Sequence, residues 1–152
     1  MILDERTEFA DALALNTGAA GTYLLGDQID LTRADNVGAI DDLHLVITVD
    51  TAITAGSAGT VAFSLASDDS ASIATNGTAT VHFTTQAFVT GATAIAAGTV
   101  LAVIELPKGF TYERYLGLLQ TTGTAAITAG KINAFLTPDP ARWSAYDAPS
   151  HL

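Results

Sequence analysis

The chain has 152 residues, 49% of them hydrophobic, with 16 acidic and 6 basic residues and a formal net charge of −10. This charge opposes direct binding to nucleic acid phosphates and to anionic lipid headgroups, since both attract lysine and arginine. The sequence contains no cysteine, which excludes disulfides, zinc–thiolate sites and cysteine nucleophiles.

The first 18 residues are predicted to form an N-terminal arm. They begin with MILDERTEFAD, which lacks a basic n-region and therefore argues against a signal peptide. Ile2, Leu3 and Phe9 are apolar among acids and alanines, so the segment is either a short helix or an extended arm. The glycines of NTGAAGT, residues 16–22, make a flexible joint to the rest of the chain.

Strand patterns follow at short intervals. Residues 22–31, TYLLGDQIDL, predict a strand with a bulge at its glycine. Three later segments alternate between apolar and polar residues, as strands with one buried face do. They are residues 43–50, 60–67 and 80–85. In the last of these, Val81 and Phe83 share one face and His82 lies on the other.

An uncharged run, residues 87–104, comes near the length of a membrane-spanning helix. Gly91 and Gly98 interrupt it, its threonines favour strands, and no basic residues flank it. Two strands joined by a turn are therefore the better interpretation. Two further strands are predicted between Glu113 and Thr137.

Several short strands with frequent turns, and no helical pattern between them, predict an all-β fold. We expect a single domain, residues 1–152, built as a jelly-roll-like β-sandwich of about eight strands over residues 19–137. Residues 138–152 are predicted to be a C-terminal tail, because Pro138 and Pro140 stop the last strand. In this tail, Trp143 and Tyr146 either fold back to cap the core or contact a partner.

No residue pattern points to catalysis, a metal or a cofactor. His44, His82 and His151 lack the spacing of metal ligands, and the first two are predicted to be ordinary surface histidines. The pairs Asp41–Asp42 and Asp68–Asp69 fit no EF-hand, although a weak calcium site at one of them stays open. No glycine cluster is followed by the lysine of a phosphate-binding loop. We therefore expect a protein that is not an enzyme and needs no cofactor.

Short motifs in a fixed order carry a family resemblance. The chain opens with MILD, continues with an IDL strand and a central LHLVITVD strand, and ends with ERYLGLL, TAGKINAFLT and DPARWSAY. In this order and spacing it resembles the Bbp16-like capsid cement, or decoration, proteins of tailed bacteriophages. The resemblance implies a jelly roll on the outer surface of the head that bridges major capsid protein subunits after the shell expands. It implies no enzymatic activity and no cofactor.

The residues themselves suggest where such a protein would make contact. Aromatic side chains are typical interface anchors, so the candidate capsid or subunit contacts are at the two ends of the chain. They are Ile2, Leu3, Phe9, Trp143 and Tyr146. Pairing of edge strands across a two-fold axis would give a homo-oligomer, with a dimer favoured over a trimer. The expected location is the virion surface, after synthesis in the host cytoplasm.

Two other functions compete with this expectation. The alternative is a carbohydrate-binding or host-attachment β-sandwich on the virion, which would need exposed aromatic residues in its loops. The loops here consist mostly of alanine, glycine, threonine and serine. A hydrolase is the third candidate, and it would need one of the acidic pairs to carry turnover.

Overall fold

A computed structural model describes residues 5–34 and 42–140. In this part of the chain a single 3₁₀ turn, Glu5–Thr7, precedes nine strands. The strands are β1 Glu8–Ala14, β2 Gly21–Asp30, β3 His44–Ala55, β4 Thr60–Asp68, β5 Thr80–Thr84, β6 Phe88–Val89, β7 Val100–Glu105, β8 Tyr115–Gly123 and β9 Ile127–Thr137.

The strands form two antiparallel sheets with jelly-roll topology. One sheet has the order β1-β9-β3-β7, and the other has the order β2-β8-β4-β5, with the short β6 also paired to β4. The antiparallel pairs are nested, with β1 on β9, β2 on β8, β3 on β7 and β4 on β5. A long hairpin rolled into two sheets gives this nesting, so the predicted all-β jelly-roll sandwich is confirmed. β6 is one strand more than the expected eight.

The core lies between the sheets and follows the predicted alternation. On β3 the inward residues are Leu45, Ile47 and Val49, and each is at most 2% exposed. β4 supplies Val61, Phe63 and Leu65 from the opposite sheet. Side chains alternate between the two faces of a strand, so the apolar period of two in the sequence places them all inside.

The predicted N-terminal arm differs from the structure. Residues 8–14 form β1, an edge strand of the four-stranded sheet that pairs with β9. Phe9 is 1% exposed and belongs to the core, because β1 covers one side of the sandwich. Of the predicted tail, only residues 138–140 are described.

A buried glutamine holds the connection between β1 and β2. Gln120 on β8 is fully buried. Its Oε1 accepts the backbone N–H of Asn16 at 2.9 Å, and its Nε2 donates to the Asn16 carbonyl at 2.9 Å and to Thr122 Oγ1 at 2.8 Å. These bonds satisfy a buried amide group, as the low dielectric of a core requires, and they fix β1 to the rest of the fold.

Candidate interaction surface

Charge is distributed unevenly along the chain. Between Thr51 and Ile104 the only aspartate, glutamate, lysine or arginine residues are Asp68 and Asp69. This nearly uncharged third of the sequence builds β4, β5 and β6 and most of β7. The strand order therefore places the uncharged stretch on one side of the sandwich and charged strands on the other.

One side is an acidic edge, defined here as Glu5, Glu8, Asp11 and Asp27. β1 and β2 are edge strands of different sheets that pack against each other, and these four residues line a common surface depression. Partial burial, together with the charges of Asp11, Glu5 and Asp27, raises the pKa of the Glu8 carboxyl. The like charges are thus close enough to interact, which makes this side unfavourable for an anionic partner.

The opposite side is an apolar edge. Because β1 faces β2, the other two edge strands, β5 and β7, fall on the far side of the sandwich. The large apolar side chains that are most exposed in residues 5–34 and 42–140 are on β5, β6 and β7 or in the loop after β7. They are Val81, Val89, Val100, Val103 and Phe110, each between 47% and 64% exposed. Exposed apolar residues grouped on one side mark an interaction surface more often than scattered ones do.

A small cavity lies within the apolar edge. Thr80, Val81, His82 and Phe110 line a space of about 170 Å³ beside β5. Val81 and Phe110 form its apolar wall. This volume suits an apolar side chain rather than a drug-sized ligand, whose pockets usually measure about 300–1,000 Å³.

The position of His82 corrects a prediction. Val81 and Phe83 do not share a face, because the β4–β5 register shifts between the pairs Leu65–Phe83 and Ala66–Val81. The extra residue at this bulge reverses the alternation. Phe83 packs on the core, Val81 faces solvent, and His82 turns inward instead of being a free surface histidine.

His82 takes part in a buried polar network. Its Nε2 lies 2.7 Å from Ser67 Oγ, and Ser67 Oγ accepts the backbone N–H of Glu113 at 3.1 Å. The Ser67 hydroxyl hydrogen is then free to donate to Nε2, which suits a neutral ring. Burial lowers the pKa of His82 accordingly.

The Ser67–His82 pair has the geometry of a nucleophile and its base, but its surroundings give it a structural role. Ser67 is fully buried, so its hydroxyl does not meet a substrate in this conformation. The His82 ring packs on Tyr112, with 4.1 Å between ring centroids. Tyr112 donates to the Pro107 carbonyl at 2.7 Å, and burial raises its pKa to about 12. The network therefore joins β4 and β5 to the loop that carries Phe110.

The other predicted site residues are placed as follows. Phe9 is a core residue and not an exposed contact. Ile2, Leu3, Trp143, Tyr146 and His151 lie outside the described residues. His44 Nδ1 lies 3.1 Å from the Asp42 carbonyl oxygen. The Asp68 carboxylate accepts the backbone N–H groups of Ser70 and Ala74, which lowers its pKa and orders the loop after β4.

Within residues 5–34 and 42–140, no three histidine, aspartate or glutamate side chains form a group that could hold a metal ion. No helix in the same ranges is long and apolar enough to cross a membrane.

The fold and this surface define a class, namely a jelly-roll protein with an acidic edge and an opposite edge that exposes apolar side chains. A family model named Bbp16 matches residues 9–136, from the first strand to the last, and the chain belongs to the Bbp16 family. A comparison with curated proteins gave no match.

Proposed function

We propose that this protein is a capsid cement, or decoration, protein of a tailed bacteriophage. It binds the outer surface of the head and bridges neighbouring major capsid protein subunits. Membership of the Bbp16 family supports this role. The observation that carries it is the collection of exposed apolar side chains on one edge of a jelly roll whose other edge is acidic.

An exposed apolar surface of this kind suits a protein that holds two neighbouring shell subunits together. Pressure from packaged DNA tends to separate shell subunits, and a protein that contacts two of them adds binding free energy that is lost only when they part. Full burial of a fully exposed valine or phenylalanine contributes about 1.5–3 kcal/mol, and side chains that are 47–64% exposed would each contribute roughly half of that. Five such side chains together support useful binding. Many copies on one shell multiply this effect without any need for tight individual contacts.

The acidic edge supports the outer location. Glu5, Glu8, Asp11 and Asp27 lie on the side away from the apolar edge, so they face solvent when the apolar edge is docked. Carboxylates repel DNA phosphates, which makes the inside of a filled head unfavourable for this surface. The proposal therefore includes no direct nucleic acid contact and no membrane contact.

Self-association is part of the proposal. Four edge strands border the two sheets, and exposed edges tend to pair with other chains. Two copies joined across a two-fold axis would cover one edge each, so a dimer is preferred over a trimer. Sedimentation equilibrium of the purified protein measures this directly.

The chain termini remain candidate contacts. Ile2 and Leu3 precede the described residues, and Trp143 and Tyr146 follow them. We keep these four as proposed contacts with the shell or with a second copy. Removal of residues 141–152 should weaken shell binding if Trp143 and Tyr146 contribute, and should leave it unchanged if they do not.

Co-sedimentation with expanded shells that lack the protein tests the proposed role. Wild-type protein is compared with the double variant Val89→Asp/Phe110→Asp and with Glu5→Gln/Asp11→Asn as the matched control on the acidic edge. All four side chains are exposed, so the fold should tolerate the changes. We expect saturable wild-type binding that raises the temperature of DNA release, loss of binding in the first variant and retention in the control.

Failure of wild-type protein to bind expanded shells would contradict the cement role. Binding to glycans instead would favour the host-attachment alternative. Phe110 is the one aromatic residue in the exposed apolar set, whereas sugar-binding platforms usually use several, so this alternative has less support.

A further inference from the structure

The edge strands of the two sheets differ in their protection against pairing with another chain. β1 carries Glu8 and Asp11 and has two register shifts against β9. β2 carries Asp27 and Asp30, and its pairing with β8 shifts between Leu25 and Ile29. Charges and bulges on an edge strand discourage the addition of a further strand, so β1 and β2 are both protected against such pairing.

β5 lacks the charged residues that protect β1 and β2, although a bulge between Val81 and Phe83 interrupts its pairing with β4 as well. Its sequence, TVHFT, has no proline, glycine or formally charged residue. Within the described part of the chain, β5 pairs only with β4, which leaves its second edge open. By comparison, β7 ends at Glu105, whose carboxylate is 2.7 Å from Lys108 Nζ. An open edge exposes alternate N–H and C=O groups that form a ladder with any extended segment.

The exposed side chains beside the open edge of β5 form an apolar surface that an apolar side chain of a partner could contact. Val81 is half exposed beside the open edge, and it forms the 170 Å³ cavity together with Phe110, Thr80 and His82. Side chains of an added strand alternate between the two faces of the sheet. One apolar side chain of such a strand would reach this cavity.

Charges at one end of β5 indicate the chemistry of the partner. Thr80 Oγ1 donates to Glu113 Oε1 at 3.0 Å. Asp68 ends β4 at the same side of the sheet, and Asp69 follows it. A partner segment with lysine or arginine near this end would complement the three carboxylates. A second copy does not offer this through its own β5, because residues 70–104 contain no lysine or arginine.

The nearest basic residues of the chain are already engaged. Lys108 contacts the carboxylates of Asp42 and Glu105, and Arg114 forms a two-bond ion pair with Asp30 at 2.9 and 3.0 Å. They are thus poorly placed to serve a neighbouring copy. The charge pattern therefore argues against pairing of two β5 edges across a two-fold axis and favours a basic segment from elsewhere at this edge.

We propose that the open edge of β5 accepts an extended segment of the shell protein as an additional strand. The segment places an apolar side chain between Val81 and Phe110 and a basic residue near Glu113. Main-chain hydrogen bonds would supply affinity, and the cavity and the carboxylates would supply specificity. This inference rests on the proposed cement role and adds to it the type of partner segment and its place on the fold.

Hydrogen–deuterium exchange of the full chain, free and bound to expanded shells, tests the inference. We expect exchange of the Thr80–Thr84 amides that face away from β4 to slow about tenfold or more on binding, because a ladder hydrogen bond protects each of them. Val81→Lys puts a charge on the edge and should weaken shell binding about tenfold or more. Thr121→Lys adds the same charge at an exposed position on β8 outside the apolar edge, and it should preserve both shell binding and the protection of β5.

The outcomes separate this inference from the proposed function. Saturable binding without slower exchange over Thr80–Thr84 would overturn strand addition and leave the cement role standing. No binding of wild-type protein would overturn both. Slower exchange over the same residues in free protein at high concentration, with a dimer in sedimentation, would assign the edge to a second copy and overturn the inference.

Discussion

At the scale of single residues, Gly26 shows how closely the two acidic-edge strands approach each other. It sits at the β2 bulge with φ of +59°, and a Cβ atom built on it would lie 1.9 Å from the Phe9 carbonyl oxygen of β1. Only glycine meets both requirements, since it has no Cβ and enters the left-handed region at little cost. The bulge in β2 therefore depends on this position.

We predict that Gly26→Ala destabilises the fold severely. The left-handed backbone alone costs about 1–2 kcal/mol, and the clash with the backbone of β1 should raise the loss above about 3 kcal/mol. Gly98→Ala is the matched control, because Gly98 has φ of +82° but no atom within 4 Å of a built Cβ. Urea denaturation of both variants measures the difference, and equal losses would refute the close packing of β1 on β2.

A second prediction concerns the pH dependence that His82 gives the fold. Burial lowers the pKa of His82 below the value of about 6.5 expected in an unfolded chain. The unfolded state therefore binds more protons between the two pKa values, so the free energy of unfolding decreases as the pH falls below about 6.5.

His82→Gln should remove this pH dependence. The glutamine carbonyl can still accept from Ser67 but does not titrate. The measurement is the slope of unfolding free energy against pH from 7 to 5, with His44→Gln as the control that leaves the Ser67 contact intact. An unchanged slope in His82→Gln would show that the buried network does not control stability in this range.

At the scale of elements, β1 depends on side-chain anchors more than on its ladder. Its pairing with β9 is interrupted twice, and Ala12 has φ of +45°. Three contacts hold it in place. The backbone N–H of Ala12 donates to Asn133 Oδ1 at 2.6 Å, and Phe9 is buried in the core. The third contact is the pair of hydrogen bonds between Gln120 and Asn16. An irregular edge strand is thus held by one core aromatic and two amide side chains.

Gln120→Leu tests the anchor at the β1–β2 connection. Leucine removes both bonds to Asn16 and leaves its N–H and C=O groups unpaired, so we expect a loss of about 3 kcal/mol. Thr121→Ala, at the exposed neighbouring position, should change stability by less than about 0.5 kcal/mol. Denaturant unfolding measures both. Similar small effects would mean that Gln120 is not needed to hold β1.

The sequence predicts some of these elements well and misses others for identifiable reasons. On β3 and β4 large apolar residues recur at every second position, so their inward faces are readable, although Val46 and Ala66 on the other face are buried as well. On β5 a single bulge moves His82 inward, because side chains alternate with a period of two and one extra residue reverses the faces. β1 is short, acidic and irregular, and these features are equally typical of an extended arm outside the core.

The order of strands and the candidate surface needed the structure. Pairs such as β1 with β9 join residues far apart in the chain, and local patterns do not choose between partners. The uncharged run at residues 70–104 was visible in the sequence, and it is the signal that could have indicated the apolar edge. Only the topology shows that β5 and β7 come to the same side.

At the scale of the whole molecule, the jelly roll separates two edges of unlike chemistry. Of the net charge of −10, Asp68 and Asp69 contribute −2, and the remaining −8 comes from residues outside 51–104. Such a division lets one side bind an apolar surface while the other keeps the protein soluble and repels DNA. The proposed cement role depends on this orientation.

Cryo-electron microscopy of expanded shells saturated with the purified protein tests that orientation most directly. The account predicts jelly-roll density on the outer surface across the junction of two shell subunits. The edge that holds Val81 and Phe110 should face the shell, and Glu8 and Asp27 should face solvent. Density with the acidic edge against the shell, or no added density at saturating protein, would contradict it.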